Sequence, residues 1–482
     1  MTDLHAALQH YFGFSEFRPG QEDIIQALMA GRNVLGILPT GQGKSLTYQL
    51  PTLLSRRLTV VVSPLLALMS DQVQHLQEAG IGGAIALNSL LDRQEQNLIL
   101  AHLDRWRFLF AAPETLTRPD VVAALRQRGI GLLVVDEAHC ISEWGPDFRP
   151  AFLQLGTVVQ TLRPGRILAL TATASPRVRQ DIARRLHLTP ADTTVVSRSV
   201  DRPNIWLAIC PVTSEAEKAT LLPQLIQAVP GNVIVYFNRK RLANEAAAAL
   251  VARGVSAGVY HGDLDPLSRR SLQHQFRNGQ IRVVCATNAF GMGIDQPDVR
   301  AVIHMAPPTS LEDYLQAIGR AGRDGQPAAA ITLLAPGDTG QLAQDAVRGF
   351  PPASLIRAYF DHPDRFVKDE TPEIQLLKRY RTFASGPAVT QLLAATQQTR
   401  QGAANQMIRF CTAPATVCRR QLLLNTFDAH PATVTHDAAC CAFIAPSPLL
   451  HHLAGMAWPS AAPLAGSADP VQSVSARLAQ LF

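Results

Sequence analysis

The run Val34-Leu35-Gly36-Ile37-Leu38-Pro39-Thr40-Gly41-Gln42-Gly43-Lys44-Ser45 decides the reading of this chain. Its first part is an apolar stretch of strand type, and the rest is a glycine-rich turn that opens a helix. Glycines let backbone N–H groups turn inward around phosphate oxygens, and a helix N-terminus favours negative charge. Lys44 can reach the β- and γ-phosphates of a nucleotide, and the Ser45 hydroxyl can ligate Mg²⁺. The strict pattern asks for glycine where Leu38 stands, so this is a shorter form of the loop. Thr40, Gly41, Gly43, Lys44 and Ser45 are its candidate ligands.

Outward from that loop, short continuous apolar runs recur at Leu58–Val62, Phe108–Ala111, Gly131–Val135 and Ile167–Leu170, with helical stretches between them. This alternation marks a buried parallel sheet covered by helices. The pattern restarts at Asn232–Phe237, Ser256–Tyr260, Ile281–Cys285, Ala301–His304 and Ala330–Leu334. The fold class is therefore α/β, with two tandem parallel-sheet domains at 1–198 and 199–340 joined near Ser197–Pro203. Strands are expected to stop after Pro336. Residues 341–443 read as mainly helical, and 444–482 as an Ala/Pro/Ser-rich linker ending in a small helix capped by Asp469.

Composition fits sizeable folded cores: 47% of residues are hydrophobic and 17% charged, which excludes wholesale disorder. The net charge of +6 leans toward an anionic partner. No apolar run approaches the ~18 residues of a membrane span, and the N-terminus carries no signal-peptide core, so a cytoplasmic protein is expected. Seven cysteines, an odd number, argue against a disulfide framework.

The strand at Gly131–Val135 ends in Asp136-Glu137-Ala138-His139. A carboxylate at the end of a neighbouring buried strand suits a metal's second partner. Asp136 would hold Mg²⁺, and Glu137 would orient and deprotonate an attacking water. This tetrad, followed by Cys140-Ile141-Ser142-Glu143-Trp144-Gly145-Pro146-Asp147-Phe148-Arg149-Pro150, resembles superfamily 2 helicases and, within them, the aromatic-rich loop of RecQ-family DNA helicases. The resemblance covers residues 12–345 and, more weakly, extends to about 443. It implies two RecA-like domains, ATP and Mg²⁺ as cofactors, and DNA as partner, both single strands and duplex junctions. It also implies 3′-to-5′ movement and work in DNA repair and recombination.

Further residues carry over from the same resemblance. Phe14, Arg18 and Gln21 are similar to the family's adenine-recognition motif: Gln21 can present donor and acceptor to the adenine edge, and Phe14 and Arg18 can stack on the ring. Ser63 lies in a segment that resembles a DNA-backbone contact. Leu170-Thr171-Ala172-Thr173-Ala174 is similar to the motif linking hydrolysis to domain movement. Trp144, Phe148 and Arg149 supply the aromatic rings and the guanidinium with which single-strand binders stack bases and track phosphates. In the second domain His261 resembles a strand-end nucleic-acid contact. Gln316, Arg320 and Arg323 resemble the arginine-bearing motif that reaches across the cleft, with Arg323 as the finger.

The chain departs from the family near its C-terminal end. Cys418 matches the first ligand of the family's four-cysteine zinc site, but the rest reads His436-Asp437-Ala438-Ala439-Cys440-Cys441. Zinc accepts histidine, so Cys418, His436, Cys440 and Cys441 could complete a tetrahedral Zn²⁺ site, with a strained backbone where adjacent cysteines both ligate. The other reading leaves these cysteines as small buried apolar residues. After residue 443 only 39 residues remain, too few for the winged helix of larger relatives. Arg357, Lys368, Lys378, Arg379 and Arg381 offer either a compensating DNA surface or a solvated helical face. A DNA-stimulated translocase, an RNA helicase and a nucleotide-gated binding protein stand beside the helicase reading.

Overall fold

The computed structural model describes residues 3–64, 66–142, 150–288, 290, 296–382 and 384–459. Seven strands form the first sheet: β1 (Asn33–Ile37), β2 (Thr59–Val62), β3 (Ala84–Leu87), β4 (Phe108–Ala111), β5 (Leu132–Val135), β6 (Ile167–Thr171) and β7 (Thr193–Ser197). Their order is β3-β4-β2-β5-β6-β1-β7, and every pairing is parallel. Both faces are covered, as the continuous apolar runs require. Leu35, Val60, Leu109, Leu133 and Ala169 face one core, while Val34, Val61, Phe110, Val134 and Leu168 face the other.

A second sheet repeats the plan with β8 (Ile205–Pro211), β9 (Asn232–Tyr236), β10 (Ala257–Tyr260), β11 (Val283–Ala286), β12 (Val299–His304), β13 (Ala328–Leu334) and β14 (Cys441–Phe443). The order is β10-β11-β9-β12-β13-β8-β14, again with parallel pairs throughout. The first sheet's last strand ends at Ser197 and the second sheet's first strand begins at Ile205, so the crossing between lobes is a seven-residue link.

Two expectations need correction here. Strands do not stop after Pro336, because Cys441–Phe443 returns to pair with β8. Residues 446–455 are not linker but a helix, Pro446–Gly455, whose Leu449 and Leu453 are buried in the second lobe's core. Alanine and proline at 445–448 suggested a loop; proline is tolerated in a first helical turn, and the leucines that follow anchor the helix. The helix expected beyond Asp469 lies outside the described residues.

The 341–443 region is helical, but not one unit. Ile356, Tyr359, Ile374, Leu377, Tyr380, Val389 and Leu393 make a small core of their own. The second half of the long helix Gly386–Thr412 instead packs Ala404, Met407 and Phe410 into the second lobe. On the small unit Lys378 is occupied internally, donating to the carbonyls of Val367 and Asp369 at 3.0 and 2.8 Å. Asp361, Asp364, Asp369 and Glu370 sit among its arginines and lysines, so the face carries both signs of charge, as a solvated helical surface does.

Candidate functional site in the cleft between two lobes

The carboxyl ends of β1, β6 and β5 lie side by side and deliver the three parts of the site. β1 leads into the phosphate-binding loop, β6 ends at Thr171, and β5 ends before Asp136. The acidic strand is thus one strand further from the loop strand than expected, and Thr171 fills the space between them.

In the loop Gly41 and Gly43 take φ of +85° and +67°, a region open to glycine and poorly to other residues. Space enforces the second: a Cβ on Gly43 would lie 2.7 Å from Gln21 Nε2. Gln21 is buried and donates from Nε2 to the carbonyls of Gln42 at 2.7 Å and Gly43 at 3.0 Å, while its Oε1 accepts from Arg18 N–H at 2.9 Å. The Arg18 guanidinium donates to the Gly41 carbonyl. Both residues, expected on an adenine ring, here brace the loop. Phe14 is 56% exposed beside them, an open apolar face. The loop ends in the helix Leu46–Ser55.

The acidic pair is half-buried. Asp136 N–H donates to the Val62 carbonyl at 2.9 Å, and its Oδ1 accepts from Glu137 N–H at 3.0 Å. Glu137 sits at φ +50°, a left-handed conformation costing a non-glycine residue about 1–3 kcal/mol, and such outliers concentrate at functional sites. That turn brings Glu137 Oε1 to 3.7 Å from Lys44 Nζ. Burial and the adjacent charge of Glu137 push the Asp136 carboxyl up to about 6, against the pull of Lys44. Burial acts upward on Glu137 as well, but the neighbouring positive charges, Lys44 foremost, hold its carboxyl below the ordinary value. Glu137 is therefore ionised near neutral pH and able to accept a proton.

His139 is the third member of the tetrad with a defined role in the geometry. Its Nδ1 lies 3.0 Å from Thr171 Oγ1 and 3.4 Å from Glu137 Oε2, and burial depresses its pKa, so the ring is neutral. Thr171 Oγ1 donates onward to the Thr173 carbonyl at 2.9 Å. The carboxylate that faces Lys44 is thus joined through a buried histidine to the Thr171–Ala174 segment.

The second lobe closes the site. A Cβ on Gly41 would meet Arg323 Cγ at 3.3 Å, so the stem of Arg323 lies against the phosphate-binding loop. Gly319, at the end of the helix Leu311–Ile318, faces Thr40. Arg320 is 3% exposed, and its Nε has no hydrogen-bond partner among the described residues; nor has Lys44 Nζ. Two buried cationic groups with spare donors, converging on inward-turned glycines, fit a polyphosphate. The Asp136 carboxylate and Ser45 hydroxyl offer the hard oxygen donors Mg²⁺ takes. Gln316 is half-buried on the helix Leu311–Ile318, which leads into Gly319.

The expected nucleic-acid residues fare unevenly. Ser63 and His261 are 3% and 8% exposed, and Ser63 Oγ and His261 Nδ1 lack hydrogen-bond partners among the described residues. Trp144, Phe148 and Arg149 lie outside the described residues.

The cysteine cluster is real, with a different membership. The sulfurs of Cys418, Cys440 and Cys441 lie within 4.8 Å of one another, with Cys418 at 3.6 Å from Cys440 and 3.8 Å from Cys441. Thiolates held ~2.3 Å from one tetrahedral ion stand about 3.8 Å apart, so three positions of a zinc site fit. His436 is exposed and not in the cluster, which corrects the expected fourth ligand. The expected strain is also missing: neither Cys440 nor Cys441 has a positive φ, because Cys440 ends a turn and Cys441 begins β14.

Sequence reasoning missed Arg202, Asn204 and Arg420, which bind the loop and the link beside the site. The string Asp201-Arg202-Pro203-Asn204, polar and rigid between two apolar strands, was the available signal.

Comparison with known proteins agrees with this geometry. A DEAD/DEAH box helicase model matches residues 18–182, and a helicase conserved C-terminal domain model matches residues 217–325. The chain is 46% identical over 339 residues to a probable ATP-dependent DNA helicase RecS of Bacillus subtilis, covering 70% of this chain and 68% of that protein. It is 34% identical over 441 residues to the ATP-dependent DNA helicase RecQ of Haemophilus influenzae, covering 90% of this chain and 63% of that one. The fold is shared with the Mycobacterium smegmatis helicase Lhr bound to single-stranded DNA and AMP-PNP, at TM-score 0.56 and 21% identity, over 85% of this chain and 62% of that chain. On these matches and on the paired lobes that meet over a phosphate-binding loop, the chain belongs to the RecQ family of ATP-dependent DNA helicases.

Proposed function

We propose that this chain is a DNA helicase motor that hydrolyses ATP between residues 1–198 and residues 199–340 and uses the cycle to move 3′-to-5′ along single-stranded DNA and open duplex junctions. The observation that carries the reading is Arg323, which reaches from the second lobe onto Gly41 of the first. A nucleotide bound there is touched by both lobes, so its hydrolysis changes how they sit together.

Ser45 and Asp136 would hold Mg²⁺, which supplies positive charge to the β- and γ-phosphate oxygens. Lys44 neutralises the same oxygens from the first lobe. Glu137, ionised and close to Lys44, takes the proton of the attacking water, and His139 fixes its orientation from the Thr171 side. Arg320 and Arg323 stabilise the charge that develops on the leaving group, a contribution worth about 10³–10⁵ in rate for arginine fingers. Trp144, Phe148 and Arg149 would stack and track the strand, with Ser63 and His261 along its path. Cys418, Cys440 and Cys441 would hold Zn²⁺ by three thiolates. Among the described residues no helix is long and apolar enough to cross a membrane, and we place the protein in the cytoplasm, in DNA repair and recombination.

The test is unwinding of a short duplex with a 3′ single-stranded overhang, against its 5′ counterpart, with ATP and Mg²⁺. Opening of the 3′ substrate alone supports the proposal. ATPase stimulated by DNA without opening of either duplex makes the chain a translocase, and opening of the 5′ substrate reverses the polarity.

A further inference from the structure

The link between the lobes reads Arg198-Ser199-Val200-Asp201-Arg202-Pro203-Asn204. A free hinge would leave its polar groups to water. Here they are held from two sides.

On one side the link holds the arginine loop. Arg202 Nη2 donates to the carbonyls of Ala321 at 3.0 Å and Gly322 at 2.5 Å, and Nη1 to that of Gly319 at 3.4 Å. Asn204 Nδ2 donates to the Gly322 and Gln326 carbonyls at 2.9 and 2.8 Å. These carbonyls belong to the loop that carries Arg320 and Arg323. Gly322 is at φ +53°, and a Cβ there would meet Asn204 Nδ2 at 2.5 Å, so the loop and the link are closely fitted.

On the other side the helix Arg419–Phe427 holds the link. Arg420 Nη1 donates to Asp201 Oδ1 at 2.6 Å and to the Arg202 carbonyl at 2.9 Å, and Nη2 to the Ile205 carbonyl at 2.6 Å. Arg420 is 6% exposed. Past the other end of the helix, Asp428 accepts from Val200 N–H at 3.0 Å and from the Ser199 hydroxyl. Arg179 of the first lobe joins in: its Nε donates to the Ala174 carbonyl at 2.9 Å and its Nη2 to the Phe427 carbonyl at 2.6 Å.

The helix also walls the cleft. Leu423 and Leu424 line one cavity with Thr40, Thr173 and Gly319. Its first turn is anchored by sulfur: Cys418 Sγ accepts from Gln421 N–H at 3.4 Å, and Cys441 Sγ from Arg419 N–H at 3.3 Å.

We infer that Arg420 is a positioning residue for hydrolysis: it fixes Asp201 and Arg202, and Arg202 in turn holds the loop whose Arg320 and Arg323 face the phosphate-binding loop. This role depends on the ATPase reading of the cleft proposed above. The planar guanidinium suits the task because its fixed fork of donors meets one carboxylate and several carbonyls from different segments at once. A misplacement of about 1 Å in a catalytic group can cost about a hundredfold in rate. The first lobe's own contacts to the phosphates would be untouched, so the loss belongs to turnover rather than to nucleotide binding.

The experiment is steady-state ATPase of the full chain with saturating oligothymidylate. It is paired with equilibrium binding of a fluorescent non-hydrolysable ATP analogue and a thermal melt. Arg420→Gln and Asp201→Asn are expected to lower kcat roughly ten- to hundredfold while KM and analogue affinity stay within about twofold. Arg420→Lys, which keeps the charge but not the fork, should recover part of the loss. Unchanged kcat in both variants overturns the inference, and so does a loss matched by weaker analogue binding. Should Arg420→Gln fail to fold, Asp201→Asn decides in the same terms. Lys44→Ala run alongside separates the two readings. Wild-type turnover in Lys44→Ala removes the ATPase assignment. An inactive Lys44→Ala beside fully active Arg420→Gln and Asp201→Asn removes only the positioning role.

Discussion

Gly319 and Thr40 meet across the cleft so closely that a Cβ built on Gly319 would stand 2.2 Å from Thr40 Oγ1. One residue ends a helix of the second lobe and the other lies in the first lobe's phosphate-binding loop. Closure of the two lobes in this form therefore requires a residue without a side chain at 319.

Gly319→Ala is expected to slow DNA-stimulated hydrolysis by at least about tenfold through that clash, with nucleotide still bound by the first lobe. Thr40→Ala in the same chain should recover part of the rate. Measured ATPase of the single and double variants checks this, and a Gly319→Ala enzyme with normal turnover would mean that the lobes work at a wider spacing.

Lys44→Ala and Glu137→Gln should each reduce kcat by roughly 10² or more, because one removes charge at the phosphates and the other the proton acceptor. Single-turnover hydrolysis of radiolabelled ATP is the readout. Near-normal turnover in either variant would remove that residue from the proposed chemistry.

His139→Ala breaks a side-chain link from Glu137 to Thr171, made by Nδ1 at 3.4 Å from Glu137 Oε2 and 3.0 Å from Thr171 Oγ1. Basal hydrolysis should fall, and Thr171→Val should fall with it by a similar factor, since both cut one path. The double variant then loses little more than either single one. Strictly additive losses would show that the two residues act independently.

The three-thiol cluster predicts about one zinc per chain in the purified protein, lost in Cys418→Ser and unaffected in His436→Ala. Elemental analysis of the three proteins decides it. A strong chelator should lower Tm of the wild type and leave Cys418→Ser unchanged.

His304 gives a pH dependence with a defined sign. It stacks on Tyr236 at a ring distance of 5.4 Å and meets the tilted ring of Tyr314 at 5.5 Å, and burial pushes its pKa down to about 3. The unfolded chain takes up a proton near pH 6.5 that the folded chain refuses. The stability contribution is therefore complete above that pH and is lost as pH falls toward 3, by up to about 1.4 kcal/mol per unit. Urea unfolding at pH 7.5 and 5.5 should show a larger loss for the wild type than for His304→Phe; parallel losses would place the sensitivity elsewhere.

Much of this architecture is legible in the residues themselves. Runs such as Leu132–Val135 are apolar at every position because both sheet faces are covered, and they stand out for that reason. β3, Ala84–Leu87, is short and half alanine, while β7 is an edge strand with mixed burial, so neither carries that signal. β14 is three residues long and makes sense only beside β8, a partner more than two hundred positions away in sequence. At the site, Lys44, Asp136 and Glu137 could be named because fixed local spacing surrounds each, and Arg323 through the resemblance of its motif to the family's. Arg18 and Gln21 could be named but not aimed: a guanidinium or an amide serves an adenine ring or a loop carbonyl equally well, and the choice is set by acceptors some twenty residues on.

The pairing of Cys441–Phe443 with β8 also bears on synthesis. The first sheet is complete once residue 197 has been made, and it can fold on its own schedule. The second sheet cannot: β8 begins at residue 205 and keeps one bare edge until residues 441–443 leave the ribosome. An unpaired strand edge is a template for wrong partners. The chain thus carries its longest interval of aggregation risk in the second lobe, and that interval ends with the same short segment that supplies one of the three clustered cysteines, Cys441.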